Sequence, residues 1–167
     1  AETPTQAAVF HSDDTPIFSA LDRLKLVFVD GVFDAAASDA LEGENLEVMR
    51  LTDALGSDIH WVKDAYGALE KRAQDPVDRP LATLNTAFAT DGVVIRATGP
   101  VSRPVSLIYL HKDESSDAIL HHVIKLDAGA ELTLLENGPA AARFNKVMEI
   151  EVADGARFHH VRAQGRD

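Results

Sequence analysis

From residue 91 onward, apolar and polar positions alternate along the chain with a period of two. That period is typical of β-strands that bury one face and expose the other. Short breaks rich in Gly, Pro, Asp and Ser separate the alternating runs. The pattern predicts six strands, at residues 93–98, 105–111, 118–126, 131–136, 147–152 and 157–163.

One unit of this pattern occurs at residues 124–134 and again at 150–160, an offset of 26 positions. Each copy has an alternating strand, a Gly-Ala corner and a second alternating strand. A repeating unit that cannot bury its own apolar face has to stack on its neighbours. The repeat therefore predicts a mainly β fold, a right-handed parallel β-helix of about three coils. Its inward side chains should be Ile124, Leu126, Ala130, Leu132, Leu134, Met148, Ile150, Val152, Ala156, Phe158 and His160.

The first ninety residues follow a different pattern, which predicts a small α/β region before the β-helix. Asp30-Gly31 separates two short apolar runs, and this dipeptide suits the positive φ angles of a two-residue hairpin turn. Ser57 is a suitable N-cap for a helix. The elements predicted here are a hairpin at 25–33, a strand at 46–51, helices at 52–55 and 81–89, and a helix with the stripe Ile59, Val62, Tyr66, Leu69 and Ala73.

We place the boundary between the two parts at residue 90, so that residues 1–90 form the α/β region and 91–167 the β-helix core. Residues 1–20 contain two prolines and an acidic pair, and we expect them to be flexible. A β-helix whose last strands, at 147–152 and 157–163, have no covering element leaves an edge that other strands can join. The sequence thus predicts self-association through this end.

Composition narrows the possible partners of this chain of 167 residues. The formal net charge is −11, with 27 acidic against 16 basic residues, which argues against binding nucleic acid or an anionic membrane surface.

Cysteine is absent, which excludes disulfides, thiolate catalysis and cysteine-held iron–sulfur clusters. No apolar run approaches the ~20 residues of a membrane span. The first residues lack the features of a signal peptide, so we expect a cytoplasmic protein.

Two histidine pairs, His121-His122 and His159-His160, are the obvious candidates for metal binding. Adjacent residues on a strand point to opposite faces, so neither pair can hold one ion together. The repeat places His122 and His160 on the inward face, which predicts core histidines whose ring nitrogens are hydrogen-bonded. His121 or His159 could bind metal only with an outward carboxylate from another coil. The sequence leaves the roles of all four histidines open.

Acidic residues alternate with the buried positions, as they do on a solvated face. We therefore interpret Asp127, Glu131, Glu136, Glu149 and Glu151 as surface residues rather than as a catalytic carboxylate pair. Asn85-Thr86 is interpreted as helix-start or turn chemistry. No phosphate-binding loop, nucleophile elbow or Ser-His-Asp order is present. The sequence accordingly predicts no catalytic, cofactor-binding or metal-binding residue.

Several stretches resemble the SufD branch of the SufB/SufD family, which belongs to the SUF iron–sulfur cluster assembly machinery. The stretches are Leu84-Asn-Thr-Ala-Phe88 to Asp91-Gly92, the segment from His121-His122 to Glu136, Asn145-Lys-Val-Met-Glu149-Ile150 through Gly155-Ala156 to His160 and Gln164, and Leu26-Val-Phe-Val-Asp30-Gly31 upstream. They occur in the family's order and span most of the chain.

The resemblance implies a non-catalytic scaffold subunit that pairs with SufB and binds the SufC ATPase. It also implies that the complex handles the iron–sulfur cluster, while this chain holds no cofactor of its own. In the family, the SufB contact and the cluster-related residues lie late in the β-helix, and the SufC contact lies in a C-terminal helical region. We expect those segments to lie outside these 167 residues. No functional residue is therefore transferred to this chain.

Two other classes of protein fit a β-helix. One is a polysaccharide-active enzyme, which would need a solvent-facing groove of converging acidic residues. The other is a self-polymerising structural protein of the bactofilin kind, which would form filaments as its concentration rises.

Overall fold

The structure, a computed structural model, describes residues 16–58, 60–68, 78–113, 115–137 and 141–163. Its strands are β1 (Leu24–Val29), β2 (Val32–Phe33), β3 (Glu42–Gly43), β4 (Leu46–Arg50), β5 (Val93–Ala97), β6 (Val105–Leu110), β7 (Asp117–Leu126), β8 (Glu131–Glu136), β9 (Arg143–Val152) and β10 (Arg157–Arg162). Its helices are α1 (Pro16–Ser19), α2 (Leu51–Gly56), α3 (His60–Ala65) and α4 (Pro80–Phe88).

The strands form two five-stranded sheets that enclose a common apolar core. Sheet A has the order β10-β8-β6-β1-β2, and sheet B has the order β3-β4-β5-β7-β9. Successive strands from β5 to β10 alternate between the two sheets. Side chains from both sheets, such as Leu107 and Leu132 from sheet A and Ile95 and Ile124 from sheet B, meet in the core.

The prediction of a right-handed parallel β-helix is wrong. The fold is mixed α/β, and each sheet is itself mixed, because β2 is antiparallel to β1 and β4 is antiparallel to both β3 and β5. Neither sheet closes or winds as a solenoid. The alternating pattern identified each strand correctly, but it carried no information about the upstream strands that pair with them. Both sheets contain strands from before and after residue 90.

The local predictions are largely confirmed. All six strands predicted after residue 91 are present, with ends shifted by a few residues. The hairpin at residues 25–33 is present too, with Asp30 and Gly31 at φ 48° and 76°. The repeat appears directly in the pairing: β7–β9 and β8–β10 both join residues that are 26 positions apart. The 26-residue offset of the sequence repeat is therefore the same as the offset between paired residues of neighbouring parallel strands.

Burial of the predicted inward set falls off toward the last two strands. The five members up to Leu134 are at most 1% exposed. Met148, Ile150, Ala156 and Phe158 are partly buried against the same core. Val152 is 47% exposed. The inward positions are thus confirmed for nine of the eleven residues, while Val152 and His160 reach solvent on the open β9–β10 side of the core.

The corner before β5 ties three elements together around a buried carboxylate. Asp91 is 1% exposed and accepts hydrogen bonds from the Phe33 amide at 2.9 Å and from Arg50 at 2.8 Å. The next residue, Gly92, packs so closely on β7 that a Cβ there would lie 1.8 Å from the carbonyl oxygen of His121. Only glycine permits this approach of β5 to β7.

Some predictions for the first ninety residues need correction or lie outside the described residues. Within the segment expected to be flexible, residues 1–15 are not described, whereas residues 16–19 form α1 and Phe18 is buried. The strand at 46–51 and the helices at 52–55 and 81–89 are confirmed as β4, α2 and α4. In the predicted stripe, Val62 is buried, but Ile59, Leu69 and Ala73 are not described. Among the described helices, none is long and apolar enough to cross a membrane.

Candidate functional site

Two buried polar networks lie on opposite faces of sheet B. The Glu136 network lies in the core between the sheets and comprises Tyr109, His122, Glu136, Lys146 and His160. The His121 network lies under α4 and the segment after α3 and comprises Tyr66, Gly67, Asn85, His121, Asn145 and Glu149. The histidine pair His121-His122 sends one ring into each network, as expected for neighbours on a strand.

Glu136 is the centre of the first network and is fully buried at the end of β8. Its Oε1 accepts a hydrogen bond from the Tyr109 hydroxyl at 2.6 Å and is bound by the Lys146 ammonium group. Its Oε2 lies 2.6 Å from His160 Nε2. A single carboxylate therefore connects β8 to β6, β9 and β10.

The hydrogen bonds fix the proton positions on His122. The Val93 amide donates to His122 Nδ1 at 3.1 Å, so this nitrogen carries no proton. His122 Nε2 must then carry the proton and donate to the Tyr109 oxygen at 3.0 Å. Burial lowers the pKa of His122 to about 3, which agrees with a neutral ring.

The network contains an ion pair between Glu136 on β8 and Lys146 on β9. Burial by itself would raise the pKa of Glu136, but the Lys146 charge and the hydrogen bonds from Lys146, Tyr109 and His160 hold it below its usual value. Burial lowers the pKa of Lys146, although the Glu136 charge opposes this change. Burial and the neighbouring carboxylate raise the pKa of Tyr109 well above its usual value. The network thus contains a neutral tyrosine and a buried ion pair.

His160 is the member of the network that reaches solvent. Its side chain is 31% exposed, whereas Lys146 is 10% exposed and Glu136 is inaccessible. The register places His160 beside Leu134 on sheet A, as the repeat predicted. The prediction of a hydrogen-bonded core histidine is confirmed for His122. It is only half right for His160, which is hydrogen-bonded to Glu136 but reaches solvent.

The second network joins sheet B to the helices that cover it. His121 is fully buried, with Nδ1 at 2.9 Å from Asn85 Oδ1 and Nε2 at 3.1 Å from Glu149 Oε2. Glu149 Oε2 also accepts a hydrogen bond from the Gly67 amide at 2.7 Å. The Tyr66 ring stacks on the imidazole with a centroid distance of 4.3 Å. His121 and Glu149 therefore hold the segment after α3 against β7 and β9.

Asn85 orients the imidazole. Its Nδ2 donates to the Leu120 carbonyl at 2.9 Å and to Asn145, so its Oδ1 is the atom that faces His121. His121 Nδ1 must therefore carry a proton and donate it to Asn85.

Two of the five predicted surface acids are buried instead. Glu136 is fully buried and Glu149 is 5% exposed, while Asp127, Glu131 and Glu151 are at least partly exposed, as predicted. For Glu136 the reason is the alternation of side chains along β8, which places Glu136 on the same inward face as Leu132 and Leu134. For Glu149 the reason is the helical layer that covers the outer face of sheet B.

The interpretation of Asn85 as helix-start or turn chemistry is also wrong, since Asn85 is a fully buried residue in the interior of α4. His121, which was expected on an outward face, is buried beneath the same layer. His159 does lie on the outer face of sheet A and is exposed. One sequence signal could have revealed the covering layer: apart from two threonines, Asn85 is the one polar residue in the helix Pro80–Phe88.

The geometry of both networks differs from that of a metal centre. Within the described residues, no group of three or more His, Asp or Glu side chains converges as metal ligands would. The contact between His121 and Glu149 is a hydrogen bond, and His122 presents its proton-bearing nitrogen to a tyrosine. Each network satisfies buried polar atoms and links neighbouring elements, which is the usual role of buried hydrogen-bonded groups.

A scan against protein-family models finds no matching family, and a search of curated proteins finds no match.

Proposed function

We propose that this chain is a non-catalytic, SufD-like scaffold subunit of the SUF iron–sulfur cluster assembly complex. In this proposal it acts in the cytoplasm together with SufB and the SufC ATPase. The iron–sulfur cluster is held by the complex, and this chain contributes structure rather than ligands. The absence of cysteine from all 167 residues is consistent with that division of roles.

One observation carries the proposal: the stretches that resemble SufD supply most of the two buried networks. Asn85 comes from the first stretch, and His121, His122 and Glu136 come from the second. Asn145, Lys146, Glu149 and His160 come from the third. Their hydrogen bonds connect strands and helices, which favours a scaffold role, although Asn145 and Lys146 also border a surface groove between α4 and the strands β7 and β9.

Co-expression with SufB and SufC of the tagged protein, including any segment that continues its reading frame, tests the proposal. We expect both proteins to co-purify with it in fixed proportion. The matched control is Glu136→Gln with Lys146→Met, which alters the core but leaves the surface unchanged. This control should still bind if it folds.

Failure of SufB and SufC to co-purify with this tagged protein, when circular dichroism shows it to be folded, would contradict the proposal. Hydrolysis of acidic glycans by the purified chain would instead support the alternative of a polysaccharide-active enzyme.

A further inference from the structure

A small cavity lies on the outer face of sheet B, beneath α3 and the residues that follow it. Trp61, Ala65 and Ala68 form its wall on the helical side, and residues of β7 and β9 form the opposite wall. Its volume is about 250 Å³. Pockets for drug-sized ligands have volumes of roughly 300–1,000 Å³, so this cavity is suited to a smaller molecule of a few heavy atoms.

The sheet contributes both apolar and charged side chains to the cavity. Val123 on β7 is buried and packs in the same apolar cluster as Trp61. Lys125 occupies the next outward position of β7. The register pairs Val123 with Glu149 and Lys125 with Glu151 on β9. The cavity therefore combines an aromatic ring and an apolar patch with one basic and two acidic side chains.

The Lys125 side chain shows which chemistry this cavity accommodates. Its ammonium group lies 5.9 Å from the centroid of the Trp61 ring and 3.4 Å from Glu151 Oε1. Tryptophan is the aromatic side chain that attracts cations most strongly, and organic ammonium ions are recognised in proteins by aromatic rings of this kind. The aromatic face and the carboxylate together form a site for an ammonium group.

The Lys125 ammonium group is held weakly in this position. The Lys125 side chain is 27% exposed and that of Glu151 is 55% exposed, and ion pairs this accessible contribute little stability. A flexible four-carbon stem allows the lysine to move its ammonium group into solvent. The acidic side chains Glu149 and Glu151 then remain at the cavity, and they attract a cation and repel an anion. The formal net charge of −11 acts in the same direction.

We propose that this cavity binds a small alkylammonium ion, which takes the place of the Lys125 ammonium group. The charged nitrogen lies over the Trp61 ring and beside Glu151, and the alkyl part packs on Ala65 and Val123. The proposal rests on the outer face of sheet B alone and does not depend on the proposed function.

Fluorescence of Trp61 tests the proposal directly, because Trp61 is the single tryptophan of the chain. Titration with n-butylammonium at constant ionic strength should change this fluorescence saturably. Butanol and butyrate carry a similar alkyl chain without a positive charge, and they should cause little change. An equal response to butanol or butyrate overturns the proposal, as does the lack of a saturable response to n-butylammonium.

Two variants distinguish binding in this cavity from attraction to the net charge of the chain. Lys125→Met removes the competing ammonium group and should raise the affinity for n-butylammonium roughly threefold to tenfold. Glu151→Gln should lower that affinity by a similar factor, because the carboxylate beside the ligand is lost. The controls Lys112→Met and Glu131→Gln make the same charge changes at exposed positions, on the loop before β7 and on sheet A, and should alter the affinity much less.

Circular dichroism checks that each of these variants is folded. Weaker binding of n-butylammonium by Lys125→Met than by the wild type would contradict the proposal, because it would mean that the lysine assists the ligand instead of competing with it. Equal affinities in Glu151→Gln and Glu131→Gln would also contradict it.

Discussion

The Tyr109 hydroxyl lies 2.6 Å from Glu136 Oε1, and both side chains are buried between parallel strands of sheet A. This bond is the junction between a neutral half of the network, His122 and Tyr109, and a charged half, Glu136 and Lys146. Hydrogen bonds to an ionised group are shorter and stronger than neutral ones. The Glu136 carboxylate therefore links four strands, β6, β8, β9 and β10, through strong hydrogen bonds.

Replacement of Glu136 by glutamine should be strongly destabilising. The change leaves the Lys146 ammonium group buried without its counter-charge, and loss of one partner of a buried ion pair costs about 3–5 kcal/mol. Adding Lys146→Met should recover much of this loss, because no buried charge then remains. Urea unfolding of the single and double variants measures both effects.

The matched control for this prediction is Glu131→Gln, on the same strand. Glu131 forms an exposed ion pair with Arg157, and such pairs contribute little. A free energy of unfolding that changes equally for Glu136→Gln and Glu131→Gln would contradict the description of Glu136 as a buried hub.

Stability should fall in acid because of His122. Burial lowers the pKa of this ring from the ordinary histidine value of 6.5 to about 3, so the unfolded chain binds more protons between these values. Stability due to the neutral ring is therefore complete above pH 6.5 and is lost as pH falls toward 3. The pKa difference corresponds to roughly 4–5 kcal/mol.

Unfolding free energies of the wild type and of His122→Asn, measured from pH 7 to pH 4, test this prediction. Asparagine can still accept the hydrogen bond from the Val93 amide but does not titrate in this range. The pH slope should be shallower in His122→Asn, and should be unchanged in the control His159→Asn, which alters an exposed ring. Equal slopes in all three proteins would show that His122 is not the responsible group.

Removal of Glu149 should loosen the segment after α3. The Gly67 amide donates to Glu149 Oε2, so Glu149→Ala should greatly increase the hydrogen-exchange rate of that amide. Glu151→Ala is the matched control, because Glu151 lies two residues later on the same strand but points to solvent. If Gly67 exchanges at the same rate in both variants, Glu149 does not hold this segment.

The stability lost by truncating a side chain should follow its burial at the paired positions Leu132 and Phe158. Leu132 is 1% exposed, and Leu132→Ala should cost roughly 2–5 kcal/mol. Phe158→Ala removes more atoms but should cost less, because Phe158 lies at the open edge. Thr133→Ala, outside the core, should cost least. Thermal unfolding of the three variants gives the order, and a larger loss for Thr133→Ala than for Leu132→Ala would mean that the strand register is wrong.

The sequence predicted the local structure well because its signals are local. The alternation over residues 91–163 and the Asp30-Gly31 turn both depend on neighbours along the chain, and both are confirmed. The 26-residue offset even predicted which residues of β8 and β10 pair. The overall fold was not predicted, because β1 pairs with β6 across 81 positions, from Leu24 to Val105, and no repeat marks that contact.

The candidate site shows the same limit. His122 was correctly placed in the core because it shares a face with Ile124. The burial of His121 and Glu149 was missed, because their face of sheet B looks solvated until Asn85 and Tyr66 cover it from elements distant in sequence. Alternation assigns a residue to a face of a sheet. It does not reveal what packs on that face.

Paired residues are 26 positions apart in both β7–β9 and β8–β10, and this equality restricts which insertions and deletions the sequence can accept. The offset is the same in the two strand pairs only because the turns at residues 127–130 and 153–156 have equal length. Deletion of one residue from the second turn would shift β10 by one position and direct Phe158 toward solvent. These turns can therefore vary in composition but not in length, and related chains should align across them without gaps.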